Sequence, residues 1–327
     1  MGKLKVGILG AGNIANSMAK AVTGLKEDAI AYAVAARDLD RAKEFAEKWG
    51  FLKAYGSYEE LVSDPEIDLI YVATPHSFHY EHAMLCIEHG KNVLLEKAFT
   101  GTVRQTREVL KAAKEKGVFI TEAIWTRYNP TQNIVKKLLA DGAIGEVTHM
   151  EADFSIPGEG VQRLWDPALA GGAMLDLGIY CLTFASMYFG DDIVKTESKC
   201  TLYKTGVDAI DEIDYTFADG KKAHLRTAFV SDTVSNCGTI YGTEGSIFID
   251  GLTCISVIKV YDKDGNLVQD VPVPEQINGY EFEVLACKKA LEEGALQCPE
   301  MPHEETVLIM ERMETLLNEW GVKYPFA

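Results

Sequence analysis

Three groups of residues in this chain have types and spacings that could do chemistry. The first is Gly10-Ala11-Gly12-Asn13-Ile14-Ala15, directly behind the apolar run Leu4–Leu9. A short strand that ends in a Gly-x-Gly-x-x-Ala turn and enters a helix at once suits a pyrophosphate. The first glycine permits the tight turn, and the second lets the backbone approach the phosphates. A small third residue lets helix and strand pack closely, and the helix N-terminus faces the ligand with unpaired N–H groups. Ile14, Met18, Val22 and Leu25 give the following segment one apolar helical face. Glycine alone marks any tight turn. The flanking strand and helix make Gly10, Gly12, Asn13 and Ile14 candidate cofactor-binding residues.

The second group follows two further strand-like runs. Thr74-Pro75-His76 comes after Leu69–Ala73, and Glu96-Lys97-Ala98 comes after Asn92–Leu95. Polar residues at such strand ends are expected beside a cofactor, so Thr74, Pro75, His76, His79, Glu96 and Lys97 join the candidates. The third group is Asp176 and Tyr180, four apart on one predicted helix and therefore on one side of it. Asp176 lies among Met174, Leu175, Leu177 and Ile179, where an unpaired carboxylate would be costly. Lys97 could also be a solvated strand-end lysine, and Tyr180 an ordinary core tyrosine.

The end of the second strand discriminates between nicotinamide cofactors. An acid there accepts hydrogen bonds from ribose hydroxyls, whereas an arginine suits a 2′-phosphate. The chain reads Ala35-Ala36-Arg37-Asp38, with alanine at the expected acid position and Arg37 behind it. A guanidinium grips phosphate with two parallel hydrogen bonds, so NADP is favoured. Asp38 leaves NAD possible, and Arg37 could instead pair with Asp40 or Glu44. His76, His79, His82 and His89 lack the H-E-x-x-H pattern, and no metal is expected.

These groups need elements to position them. Strand-like runs at Leu4–Leu9, Ala31–Ala36, Leu69–Ala73, Asn92–Leu95 and Val118–Thr121 alternate with helical segments at Leu39–Trp49, His79–Glu88 and Val103–Glu115. Such alternation builds a parallel sheet with helices on both faces. After Tyr128-Asn129-Pro130 and one helix (about Thr131–Ala140), strands dominate: Val147–Phe154, Ile213–Phe217, Ala223–Phe229, Cys237–Tyr241, Ser246–Ile249 and Ile255–Tyr261. Turns such as Asp219-Gly220 and Glu244-Gly245 are hairpin signals, which predicts an antiparallel sheet. Helices are expected at Gly172–Tyr188, Tyr280–Glu293 and Glu304–Glu319. The fold class is therefore α/β, with two domains at 1–122 and 123–327.

The chain has 327 residues, 32 basic and 49 acidic side chains, and a formal charge of −17. That balance opposes a general affinity for nucleic acid or anionic membrane. No run resembles a signal peptide or a transmembrane span. Seven scattered cysteines without a C-x-x-C pair suggest reduced thiols in a cytoplasmic enzyme. One face of the second sheet is only moderately polar and could pair with a second subunit.

Five motifs stand in order along nearly the whole chain. They are Gly10-Ala11-Gly12-Asn13-Ile14-Ala15, Ala73-Thr74-Pro75-His76-Ser77-Phe78-His79, Leu95-Glu96-Lys97, Glu122-Ala123-Ile124-Trp125-Thr126-Arg127-Tyr128-Asn129-Pro130 and Gly171-Gly172-Ala173-Met174-Leu175-Asp176-Leu177-Gly178-Ile179-Tyr180. Together they resemble the glucose–fructose oxidoreductase / inositol dehydrogenase / rhizopine-catabolism (Gfo/Idh/MocA) family, in particular its dihydrodiol dehydrogenase and xylose dehydrogenase branch. Tyr241-Gly242-Thr243-Glu244-Gly245-Ser246 and Asn278-Gly279-Tyr280-Glu281 extend the resemblance.

The resemblance implies an N-terminal Rossmann domain and a C-terminal α+β domain with a large, mostly antiparallel open sheet. It implies a homodimer or dimer of dimers through that sheet, and NAD(P)-dependent redox chemistry on a sugar, polyol or diol. It also implies that Lys97 moves the substrate proton, with Asp176 holding a hydroxyl or orienting the lysine. Tyr180 would donate to the developing carbonyl oxygen or pass the proton itself. Trp125, Arg127 and Phe154 would face substrate, and Arg163 and Trp165 the cofactor. Two departures matter: the usual Glu-Lys-Pro reads Glu96-Lys97-Ala98, and the histidine of many members, four residues after the aspartate, is Tyr180. Two other functions stay open, a glycosidase that uses NAD for transient oxidation and a cofactor sensor without turnover.

Overall fold

Strands joined through helices dictate the first unit. In the computed structural model, which describes residues 2–326, strands β1 (Leu4–Leu9), β2 (Ala29–Ala35), β3 (Lys53–Tyr55), β4 (Leu69–Val72), β5 (Asn92–Glu96) and β6 (Ile120–Ala123) form one parallel sheet. Its order is β3-β2-β1-β4-β5-β6. All four residues of β4 are buried, as a parallel strand covered on both faces requires. The chain reverses direction across the sheet between β1 and β4. The carboxyl ends there form the crevice in which such sheets bind ligands. Helices α1 (Asn13–Gly24), α2 (Leu39–Trp49), α3 (Tyr58–Ser63), α4 (His79–Glu88) and α5 (Val103–Lys116) make the crossovers. Asp38, Ser57 and Thr102 cap α2, α3 and α5 by accepting from backbone N–H groups of the first turn.

The chain returns to this unit late. Residues Gln276–Glu311, with α9 (Glu281–Glu292) and the first turns of α10 (His303–Glu319), belong with Met1–Tyr128. A single division at 122 and 123 does not describe that return, because linear order carries no sign of it.

The second unit holds Asn129–Glu275 and Arg312–Pro325. Its eight strands are β7 (Val147–Ser155), β8 (Ile193–Leu202), β9 (Asp208–Phe217), β10 (Lys222–Ala228), β11 (Ser235–Gly242), β12 (Gly245–Asp250), β13 (Val257–Asp262) and β14 (Leu267–Val271). They are ordered β14-β13-β12-β11-β7-β10-β9-β8, and only the β7–β10 pair is parallel. Helices α6 (Gln132–Ala140), α7 (Gln162–Trp165) and α8 (Ile179–Phe189) complete the unit. Helix α8 packs on β7 and β10. Alternation decides the faces: Met150, Ala152, Ala223 and Leu225 are buried, while His149, Glu151, Lys222 and His224 are exposed. The outward face carries a depression of about 380 Å³ lined in part by His149, Glu151, Lys195, Asp214 and His224.

Five elements were not expected: β3, α3, α7, β8 and β14. Strands β8 and β14 are sheet edges with few buried residues, so they lack the apolar alternation that announces a strand. Strand β9 starts at Asp208, five residues before the expected Ile213, because its first half carries two buried acids. The helix expected over Gly172–Tyr188 begins instead as a π-helical turn, Met174–Gly178. No membrane-crossing run was expected either. Pro167–Phe189 is long and apolar enough by length and composition, but 89% of the window is buried inside the protein.

Candidate functional site

The glycine turn closes β1 as its spacing requires. Gly10 has a φ of +104°, and a Cβ there would lie 3.0 Å from the Ala73 carbonyl oxygen. Beside Gly12 the same atom would meet nothing nearer than 3.8 Å, which leaves open backbone where a phosphate must approach. Gly12 is the N-cap of α1 and supplies no side-chain oxygen, so the first-turn amides face outward unsatisfied by a cap. Asn13 is exposed at that turn, Ile14 is partly covered and Ala15 is fully buried against the sheet. These residues fit a dinucleotide pyrophosphate.

At the end of β2, Arg37 is exposed, and the Asp38 carboxylate accepts from the amides of Asp40 and Arg41. Sequence reasoning missed Arg41, whose guanidinium donates to the Ala11 carbonyl at 2.8 Å and so hangs over the glycine turn. Its signal was present: Arg41 lies one helical turn beyond Arg37. Both cations act on Tyr58, partly offsetting the burial that raises its phenol. The His82 ring stands edge-on to Tyr58 at 4.7 Å and meets the Thr74 hydroxyl at 3.0 Å. Burial, then the Arg37 charge, pushes His82 down to about 4, so the ring is neutral at pH 7.

The backbone around Lys97 is held from three sides. Glu96, expected to meet cofactor, is buried behind the strand end; it accepts from the Tyr71 hydroxyl and, at 3.1 Å, from the Lys97 amide. His79, also expected to meet cofactor, is fully buried. Its two ring nitrogens lie 2.8 Å from the carbonyl oxygens of Ala98 and Thr74. Burial drives it down to about 4, and a neutral ring donates to only one of them. Both side chains are thus engaged with the backbone on either side of Lys97. Glu122 accepts from the Phe99 amide at 3.0 Å, and burial pushes its carboxyl up to about 7. Lys97 itself is partly exposed, as are Thr74 and His76, and Pro75 is exposed.

Trp125 stacks on Tyr280 in the same unit, with ring centroids 4.2 Å apart. Arg127 forms an ion pair with Glu305 in which both side chains are largely buried. That pair accounts for the Arg127 charge without a substrate anion.

In the second unit, Asp176 lies inside the π turn and is 6% exposed. Arg163 of α7, expected to meet cofactor, donates to the Asp176 carboxylate at 2.7 Å. This ion pair supplies the partner that a buried carboxylate needs. Tyr180 is buried in the first turn of α8, and Phe154 packs against it with ring centroids 5.6 Å apart. Trp165 is half-buried, and its carbonyl accepts from the Thr205 hydroxyl at 2.6 Å. Within each unit the expected residues thus cluster: Gly10 to Arg37 with Thr74, Lys97 with its braces, and Asp176 with Tyr180, Phe154 and Arg163. Among the described residues no group of three His, Cys, Asp or Glu side chains is arranged to hold a metal.

Comparison with known proteins adds a second line. Residues 4–123 match a family described as an oxidoreductase family with an NAD-binding Rossmann fold. Residues 133–248 match the GFO/IDH/MocA C-terminal domain. A trans-1,2-dihydrobenzene-1,2-diol dehydrogenase of Xenopus laevis is 36% identical over 98% of this chain and 99% of its own length. A D-xylose 1-dehydrogenase (NADP(+)) of Hypocrea jecorina is 35% identical over 98% of this chain and 93% of its own. Among solved structures, a 3-ketoreductase from Actinomadura kijaniata with NADP and TDP-benzene superposes with a TM-score of 0.86, at 23% identity and 96% coverage of both chains. A levoglucosan dehydrogenase with NADH and levoglucosan gives 0.85 at 19% identity, covering 99% of this chain and 100% of that one. The two structural likenesses speak to the fold alone.

Proposed function

We propose, from the premise that the chain belongs to the GFO/IDH/MocA oxidoreductase family, that it is an NADP-preferring dehydrogenase or reductase acting on a sugar, polyol or vicinal diol. The nicotinamide, when bound, gives or takes the hydride at the hydroxyl or carbonyl carbon. Gly10, Gly12, Asn13 and Ile14 hold the pyrophosphate through backbone amides, with Thr74, Pro75 and His76 lining the same strand-end crevice. Arg37, and with it Arg41, binds the 2′-phosphate. Lys97 takes the hydroxyl proton during oxidation and returns it during reduction. A positive nicotinamide ring nearby would disfavour an ammonium and so favour the free amine. Asp176 holds a substrate hydroxyl, and Tyr180 donates to the developing carbonyl oxygen. Phe154 and Trp125 wall the substrate, Arg127 contributes there through its shape rather than its charge, and Arg163 and Trp165 flank the site from α7.

The observation that carries this reading is the bracing of Lys97. Glu96, tied to the Tyr71 hydroxyl and the Lys97 amide, and Glu122 on the Phe99 amide pin the backbone on both sides of it. The buried His79 ring is set between the Ala98 and Thr74 carbonyls, while Lys97 itself stays partly exposed. A merely solvated lysine needs no such brace. Supporting it, the diol and xylose dehydrogenases above are 36% and 35% identical to this chain over 98% of its length.

The test is incubation with NADP and a panel of aldoses, polyols and vicinal diols, followed by reduced-cofactor absorbance. Stoichiometric NADPH supports the dehydrogenase. Sugar cleavage without net reduced cofactor would mean a glycosidase that uses transient oxidation, and binding without turnover a sensor. The outward face of the eight-stranded sheet, with its stacked His149 and Tyr241, is proposed as the contact of a homodimer or dimer of dimers. Seven free cysteines among the described residues suit a cytoplasmic location.

A further inference from the structure

Asp208 and Tyr324 surround a part of the second unit that the proposed chemistry does not itself use. The Gly171-Gly172 turn starts the segment that carries Asp176 and Tyr180. Asp208, at the head of β9, points its carboxylate into that start and accepts from the Met174 amide at 2.5 Å and from the Ala173 amide. Gly172 has a φ of +130°, and a Cβ there would come within 2.2 Å of the Asp208 carboxylate oxygen, so the turn is shaped around the acid. On the other side the Tyr324 hydroxyl donates to the Gly171 carbonyl at 2.7 Å. The turn also anchors α7: the Gly172 amide donates to the Leu164 carbonyl at 2.8 Å, one residue beyond Arg163. Both partners of the Arg163–Asp176 pair are therefore tied to the same few residues.

The acid has been buried at a cost. Asp208 and Asp211 are both fully inaccessible. Asp211 faces Asp208 and the Cys200 thiol, and Tyr324 lies close to both acids. Burial raises both carboxyls, Asp208 to about 6 and, with the Asp208 charge, Asp211 well above the ordinary carboxylate range, while the helix-start amides oppose the rise at Asp208. Of the two acids, Asp208 is the one that meets the helix-start amides. A helix start could be capped by a serine or threonine of its own segment. Here a strand residue thirty-four positions later in the chain supplies the acceptor, which ties the helix to the sheet.

We infer that Asp208 and Tyr324 are positioning residues for the redox reaction, clamping the Gly171–Met174 turn so that Asp176 and Tyr180 stand where substrate needs them. This rests on the proposed roles of Asp176 and Tyr180. Misplacing a reacting group by about 1 Å costs roughly a hundredfold in rate, so loosening the turn lowers kcat. Cofactor affinity is set by residues of the other unit and should stay constant.

The experiment compares wild type, Asp176→Asn, Asp208→Ala, Asp208→Asn and Tyr324→Phe on whichever panel substrate the wild type turns over, with NADPH affinity and melting temperature measured alongside. Asp176→Asn reports on the underlying reading: if it keeps full turnover, the roles given to the helix fail, and the clamp with them. With Asp176→Asn impaired, the expectation is a loss of at least tenfold in kcat for Asp208→Ala. Asp208→Asn, which keeps an acceptor oxygen, should return to within about threefold of wild type. Tyr324→Phe should lose about three- to tenfold, with NADPH affinity within twofold throughout. The clamp is overturned if the folded Ala and Phe variants keep wild-type kcat while only melting temperature falls, or if Asn is as poor as Ala. Should Asp208→Ala fail to fold, Tyr324→Phe decides alone, since it removes one hydroxyl: an undiminished kcat there rejects the proposal.

Discussion

At the scale of single residues, charge placement separates two kinds of arginine. Arg127 and Arg163 are each paired with a carboxylate of their own unit, Glu305 and Asp176. Arg37 is exposed at a strand end, and Arg41 leans on the glycine turn through one carbonyl. A hydrogen bond from a charged donor contributes about 1.5–3 kcal/mol, or about tenfold to more than a hundredfold in affinity. Replacing Arg37 or Arg41 by alanine should therefore raise KM for NADP at least about tenfold and leave KM for NAD within about twofold. Equal losses with both cofactors would show that neither guanidinium reads the phosphate. Residue type and spacing made the tight turn at Gly10 and Gly12 and the strand-end placement of Arg37 and Lys97 legible in the sequence. Glu96 and His79 were visible as well, but not their burial. Whether a polar side chain faces ligand or locks backbone depends on neighbours such as Tyr71 and Ala98, which no local spacing reveals.

At the scale of elements, the turn after β1 and the turn before α8 are both built around glycines that no other residue replaces without strain. Gly10→Ala adds a Cβ at 3.0 Å from a backbone oxygen and at a positive φ. It should raise the Kd for NADPH at least about tenfold in a fluorescence titration, through displacement of the amides that meet phosphate. An unchanged Kd would detach this turn from cofactor binding. The central strands and most long helices were legible because buried elements carry a strong period of two or 3.6 residues. Edge strands β8 and β14 were not, since solvent on most sides erases the contrast. The π turn was hidden too: Met174–Gly178 reads as ordinary helix, and the amide of its first residue, Met174, is held by Asp208, which lies on a strand later in the chain.

At the scale of the whole molecule, buried acids and net charge act in one direction. Glu122 holds its proton up to about 7 and Asp208 up to about 6, against about 4 for either residue type in an unfolded chain. The folded state binds more protons between about pH 4 and those values, so this stability is fully present below about pH 4 and is lost progressively as pH rises from there to 6 to 7. The net charge of −17 adds self-repulsion at higher pH. The lowered His79 and His82 oppose the acids between about pH 4 and 6.5, so the wild-type melting temperature minus that of Glu122→Gln isolates the acid. This difference should be larger at pH 5.5 than at pH 8 by about 3 °C, and a flat or opposite trend in it would contradict the buried-acid reading. Light scattering should find a species of at least twice the 36.0 kDa chain mass, and a monomer at micromolar concentration would remove the sheet-face dimer. The two-part architecture was legible from the change of pattern after Pro130. The return of Gln276–Glu311 to the first unit was not, since packing partners far apart in sequence leave no local trace. The central claim is that Lys97 moves the substrate proton, and its most direct measurement is NADPH formation from NADP and the turned-over sugar or diol by wild type and Lys97→Ala. The account predicts a loss of at least about a hundredfold in kcat with NADPH affinity within a few-fold, and a variant that reduces NADP at the wild-type rate would contradict it.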